Sequence, residues 1–320
     1  MKLSVTALFL FLFLTAKCGV AQTVIPKSAV QDTLGKLSFR IWKQKTDLDR
    51  LAASSAFFKE FRMALENKES SLLPFDSLPG ITRAVSSDGF VRIFTWNVPV
   101  SDGTNKYWGL LQLSRDSSTI IPLEFLNTDP SVLVTGKFTP QTWYGALYYK
   151  IIDVEIEGKT VYTLLAWDGF TNESNRKLID ILSLDDYGNI TFGMPVFKTD
   201  KGIKPRIIFE YAEKANMLLR YDYQAINVKK RKKIKKEYAW MIAMDRLVPM
   251  DPSLQGLRKY FVPAGDTYDG YIFRNGFWIF IHRFRQLNQF IRVISKMAHI
   301  AIDKPDRVIQ FVGYTRHQLT

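Results

Sequence analysis

Asp88-Gly89-Phe90-Val91-Arg92-Ile93-Phe94-Thr95-Trp96-Asn97-Val98 is the stretch whose reading decides the fold. Phe94, Trp96 and Val98 fall on one parity, and Val91 and Ile93 on the other, so a strand here has two apolar faces. A half-wet sheet would alternate apolar with polar. Two apolar faces require a packed layer on each side, as in a sandwich or a barrel. Asp88-Gly89 before the strand is turn chemistry, because glycine and its Asx neighbour tolerate the positive φ of tight turns.

Outward from this stretch the same texture recurs. Lys106 to Leu113, Thr119 to Phe125, Trp143 to Glu157, Thr160 to Trp167, Leu178 to Leu184, Arg206 to Tyr211, Met217 to Val228, Glu237 to Asp245 and Tyr271 to Ile281 are rich in aromatic and β-branched residues. Between them stand Asp102-Gly103, Gly158-Lys159, Asp168-Gly169, Tyr187-Gly188-Asn189, Asp269-Gly270 and Asn275-Gly276. No helix-length connection separates successive runs, so the sheets are expected to be antiparallel. A small propeller is the alternative, though the turns are unevenly spaced and no repeat of about forty residues is visible.

Upstream, Leu48, Leu51, Ala52, Phe58, Phe61 and Leu65 recur at helical spacing behind Thr46, a fitting N-cap. Two prolines within Ser70 to Pro79 stop that helix. The expected organisation is a signal peptide (1–21), a helical segment and linker (22–79), an antiparallel β domain (80–282) and a basic tail (283–320).

The leader rests on Lys2, an apolar stretch from Leu3 to Ala16, and small residues at Gly19 and Ala21 ahead of Gln22. Cleavage is expected between Ala21 and Gln22, and the stretch is too short for a membrane span of ~20 residues. Lys17 disfavours acylation of Cys18, since a lipoprotein signal places a small residue there. Cys18 is the only cysteine, so the mature chain would have no disulfide, thiolate nucleophile or thiolate metal site. The expected location is periplasmic or extracellular.

The formal charge is +13. The leader supplies two of these charges, the acid-free run Lys229, Lys230, Arg231, Lys232, Lys233, Lys235 and Lys236 supplies seven, and the tail supplies a net five, which leaves the body at −1. Polyanion contact therefore rests on the run or the tail. Export argues against nucleic acid. The run is expected to form an exposed hairpin end, in contact with anionic lipid headgroups or polysaccharide.

After Phe280 the texture changes. Leu287, Phe290, Ile291, Ile294, Met297, Ala298 and Ala301 fall at helical spacing among Arg283, Arg285, Arg292 and Lys296. Three readings stand: a helix docked on the body, a basic helix lying on a membrane surface, or a tail altered by a change of reading frame.

In Asp88-Gly89-Phe90 through Trp96, Trp143-Tyr144-Gly145-Ala146-Leu147-Tyr148-Tyr149-Lys150, Leu164-Leu165-Ala166-Trp167-Asp168-Gly169 and Phe209-Glu210-Tyr211, the chain resembles a family of uncharacterised exported β-rich proteins of Bacteroidota-type bacteria. The resemblance spans roughly residues 81 to 280. It implies export and a β-rich fold, and it brings no activity, cofactor or site residue.

Catalytic signatures are scarce. There is no G-x-S-x-G elbow and no HExxH, and His282, His299 and His317 are too widely spaced to pair on one helical turn. Asp153, Glu155 and Glu157 alternate with Val154 and Ile156, which puts all three on one strand face, neighbours about 7 Å apart. Glycoside hydrolysis needs two carboxylates roughly 5 to 9.5 Å apart, so the spacing is permitted, although a solvated strand face looks the same. Asp185-Asp186-Tyr187-Gly188-Asn189 offers oxygens for Ca²⁺ but lacks the twelve-residue ligand pattern, and a plain turn is preferred. Trp96, Trp108, Trp143, Trp167, Trp240 and Trp278 are placed in strands, mostly as core, with glycan stacking open to any that prove exposed. Neither cofactor nor metal is expected. The first reading is a non-enzymatic envelope protein binding a glycan, an anionic surface or a protein partner; the alternative is a secreted carbohydrate-active hydrolase using paired carboxylates.

Overall fold

The computed structural model describes residues 27–114, 118–126, 130–230 and 233–284. The chain is mainly β, with several antiparallel sheets, an N-terminal helical layer and, among the described residues, no closed barrel. The leader, Arg231, Lys232, His299, His317 and everything after Phe284 lie outside the described residues.

Helix α1 (Lys27–Lys43) precedes α2 (Asp47–Glu66). The Thr46 side chain accepts from the Asp49 amide at 3.1 Å, the expected N-cap. The buried line of α2 differs from expectation. It runs through Ser54, Phe57, Phe61 and Leu65, while Leu48 is 77% exposed and Ala52 faces solvent. Ser54 belongs to that line because it accepts the Trp96 indole N–H at 2.8 Å, which satisfies a buried donor. The residues before Thr46 form a helix of their own, α1, whose Leu34 and Ile41 are buried against α2 and the first sheet.

The first sheet runs β1 (Thr82–Val85), β2 (Val91–Pro99), β3 (Asn105–Ser114), β4 (Ser118–Leu123) in sequence order. Phe94, Trp96, Val98 and Leu110 pack on the helices; Val91, Ile93 and Leu111 pack on the other side. Both faces of β2 are buried, as its two apolar parities require.

A short helix α3 (Pro130–Thr135) leads into the middle sheet: β5 (Leu147–Ile156), β6 (Lys159–Asp168), β7 (Ser174–Leu184) and β8 (Ile190–Phe192). Then follow β9 (Phe197–Thr199), β10 (Gly202–Lys204), β11 (Ile207–Ala212), β12 (Leu219–Lys230), β13 (Lys233–Pro249), β14 (Phe261–Arg274) and β15 (Phe277–Phe284). The middle sheet has order β11-β7-β6-β5, with β8 on β7; the third has order β10-β9-β15-β14-β13-β12. All pairs are antiparallel except β9 with β15, where Phe197 lies beside Trp278.

The layers stack as helices, first sheet, middle sheet and third sheet, rather than as blades around an axis. Tyr148, Leu164, Leu178 and Leu182 of the middle sheet meet the first sheet, while Leu165, Ile179 and Ile181 meet Leu219, Ile242, Tyr271 and Trp278 of the third. The middle sheet is thus buried on both faces.

Two turns and one strand start depart from expectation. Asp269-Gly270 lies inside β14, where the register to β15 shifts between Tyr268 and Gly270, because a glycine inside a strand accommodates a bulge as readily as a turn. Trp143 precedes its strand: Gly145 at φ +82° bends the chain first, and a Cβ there would lie 2.6 Å from Tyr107 and 2.7 Å from Phe125. The β5–β6 turn is centred on Glu157 (φ +52°) and Gly158 (φ +76°), one residue earlier than expected, so Glu157 leaves the strand face.

Candidate functional site

The hairpin β12–β13 is the longest ladder of the molecule, with continuous antiparallel register from Leu219↔Met244 to Lys230↔Lys233. The basic run is therefore mostly strand, with Lys229 and Lys230 on β12 and Lys233, Lys235 and Lys236 on β13. Arg231 and Lys232 are outside the described residues, and Lys236 is exposed.

Below the run one face of the hairpin is aromatic. Tyr221 stacks on Trp240 at 5.2 Å, Trp240 meets Tyr223 at 5.7 Å, and Tyr223 stacks on Tyr238 at 6.2 Å. Tyr221 also meets Trp278 edge-on at 6.4 Å, which roots this ladder in the core between the middle and third sheets. Tyr221 and Trp240 are half-buried, Tyr223 is buried, and Tyr238 at the end of the ladder is 43% exposed. The ladder ends where Asn227 pairs with Lys236. Aromatic faces next to ammonium groups suit a surface that offers both apolar or sugar faces and negative charge.

The three carboxylates proposed for hydrolysis do not act as one set. Asp153 accepts from the Ser87 amide (3.1 Å), the Ser87 hydroxyl (2.7 Å) and the Asp88 amide (2.9 Å), and so pins the turn before β2. Glu155 and Glu157 are exposed on the rim of an open cleft of about 370 Å³, shared with Met194, Pro195, Asn275 and Phe277. Two tight turns face each other there, Glu157-Gly158 and Asn275-Gly276.

His282 meets the Phe280 ring edge-on at 4.4 Å and lies 3.3 Å from Asp200, with both members of that pair exposed. Asp185 accepts from the Tyr187 and Asn189 amides, which closes a turn with Gly188 at φ +82°, and Asp186 pairs with Lys159. Among the described residues no three metal-ligating side chains converge. Trp96, Trp143 and Trp278 are core; Trp108 and Trp167 are half-buried.

Two polar clusters lay outside the sequence reading. Asp180 and Arg206 pair at 2.8 Å with no exposure, and the same carboxylate accepts from the Tyr144 hydroxyl at 2.5 Å. Arg206 also donates to the carbonyls of Leu133 (2.6 Å) and Gly136 (3.2 Å), so this pair ties α3 to the middle sheet. Burial, then the Asp180 charge, holds the Tyr144 hydroxyl well above its ordinary range. At the end of β6, Asp168 accepts from the Tyr107 hydroxyl at 2.7 Å, and Arg176 and Glu210 lie beside each other at 3.4 Å. Burial pushes the Asp168 carboxyl up to about 6, against the opposing pull of Tyr107 and Arg176. Neither cluster opens onto the cleft.

No family model, curated protein or solved structure matches the chain.

Proposed function

We propose that the chain is a non-enzymatic extracytoplasmic protein of the cell envelope that contacts an anionic polymer or headgroup layer through the β12–β13 hairpin. One observation carries this reading: the acid-free basic run continues a ladder whose face is lined by Tyr221, Trp240, Tyr223 and Tyr238. The hairpin gathers the run at one end of the sheet, and each basic residue near an anionic membrane contributes ~1 kcal/mol. The expected export follows from the leader and from the resemblance to exported β-rich proteins. Among the described residues no helix is long and apolar enough to cross a membrane.

The test is retention of the mature chain on anionic vesicles and on acidic polysaccharide at low salt. Replacing Lys229, Lys230, Lys233 and Lys236 with glutamine should weaken retention on one of the two at least tenfold, and added salt should do the same to the unaltered chain. Unchanged retention on both would leave the run as a solvated hairpin end and sink the reading. A carbohydrate-active hydrolase is the second reading, favoured only by Glu155 and Glu157 sharing one cleft. Reducing ends released from the polysaccharide, and lost with Glu155→Gln, would favour it.

A further inference from the structure

Among the described residues, Arg50, Arg83, Arg92, Arg176, Arg206 and Arg220 each have a buried Nε with no acceptor. Arg50, Arg176, Arg206 and Arg220 are paired with a carboxylate, of Asp47, Glu210, Asp180 and Asp222 in that order. Arg83 and Arg92 pair with none among the described residues, and they are neighbours. Arg83 of β1 stands opposite Phe94 and Val85 stands opposite Arg92, so the two arginines lie diagonally on adjacent strands and share a face, about 7 Å apart at their stems. It is the face toward the helices, where Phe94 packs. Arg92 is 4% exposed; it donates to the carbonyls of Ser70 (3.1 Å) and Leu73 (2.8 Å) and to the Gln112 amide oxygen (2.9 Å), and lies over the Phe94 ring at 5.1 Å. All of these partners are neutral. Burial, and then the Arg83 charge, pulls the Arg92 guanidinium down to about 10. Arg83 is half-buried on the edge strand of the sheet and makes no hydrogen bond or ion pair among the described residues.

We propose that Arg83 and Arg92 form a binding site for one oxyanion, a carboxylate or phosphate group, at the β1 edge of the first sheet. Two like charges drawn out of water side by side lose hydration and repel each other, so buried charges are ordinarily paired, as the four other arginines of this kind are. A negative group joining Arg83 and Arg92 removes both costs at once. Guanidinium suits that task, because its planar fork of donors stays charged and matches carboxylate and phosphate oxygens two at a time. The two side chains have unequal parts in it. Arg92 is fixed from one side by the Ser70, Leu73 and Gln112 oxygens and supplies a preorganised positive charge, while Arg83, uncommitted and reached from the sheet edge, supplies the accessible fork. The site belongs to the first sheet and the basic run to the third, so neither depends on the other.

Thermal unfolding of the full mature chain, titrated with sodium phosphate and with sodium acetate against sodium chloride at matched ionic strength, tests this, since an anion bound to the folded state raises the midpoint. A saturable rise beyond that in chloride is expected with at least one of the two salts, and the salt that gives it identifies the oxyanion. Arg83→Gln removes one guanidinium and breaks no hydrogen bond of the described residues, and it should weaken the apparent dissociation constant at least tenfold with the tryptophan fluorescence of the parent retained. Arg83→Lys, which keeps the charge and loses the fork, should weaken it less and keeps the test valid should the first variant unfold. The variant with glutamine at Lys229, Lys230, Lys233 and Lys236 should keep the rise. A rise lost there and kept in Arg83→Gln would put the anion on the basic run and overturn the proposal. The absence of any rise beyond chloride, or equal affinity in the parent and both Arg83 variants, would overturn it too.

Discussion

Asp168 concentrates what a single side chain does in this molecule. Its carboxyl sits at the junction of β3, β6 and β7, accepts from Tyr107, and is raised by burial to about 6. A folded-state value above the unfolded one of 3.8 means that the folded chain holds more protons between roughly pH 4 and 6, so stability present at low pH is lost as pH rises through 6. Asp168→Asn, which still accepts from Tyr107, should remove that loss; urea unfolding at pH 4 and pH 7 should show the variant gaining up to about 3 kcal/mol relative to the parent across the interval. An identical pH dependence in both proteins would refute this origin of the slope. Residue-level roles were the least legible part of the sequence. Asp153 and Glu155 have the same local pattern, yet one pins Ser87 and Asp88 and the other rims a cleft, because the distinction depends on a turn sixty-odd residues away. Asp180 did carry a signal, an acid set among Leu178, Ile179, Ile181 and Leu182, but nothing local pointed to Arg206 as its partner.

At the scale of elements, periodicity and turn chemistry carried much further. The N-cap at Thr46 and the end of α2 near Asn67 follow from local rules, and Thr46→Ala should lower stability by about 1 kcal/mol in urea titration, with an unchanged midpoint counting against the cap. The burial of α2 was harder to place, since its inward line includes Ser54, whose polarity hides a hydrogen bond to Trp96. Strands β2, β3, β6 and β12 were legible because their apolar runs are long; β8, β9 and β10 are three residues each and leave too little pattern to find. Asn275-Gly276 and Asp269-Gly270 look alike in sequence. Only the first is a two-residue turn, with φ values of +50° and +76°, while the second is held in strand by Ala243 and Met244 across the ladder.

For the whole molecule, the sandwich-like β class was legible from the two apolar faces of β2, whereas the stacking of three sheets depends on long-range pairings that no window of sequence contains. Proposed export is checked by intact-mass analysis of the protein recovered outside the cytoplasm, which should begin at Gln22, cyclised or not. An acylated Cys18 terminus or a retained leader would refute the cleavage. Synthesis runs from the N-terminus, and the parallel pairing of β9 with β15 makes one strand wait for the other. The β9–β10 hairpin has no second neighbour until Trp278 arrives beside Phe197. Until then the edge of β9 stays open, and Trp278 is missing from the core between the middle and third sheets. A nascent chain truncated or stalled ahead of β15 is thus the form that proteases and aggregation would claim, and release of β15 is what closes the edge of β9.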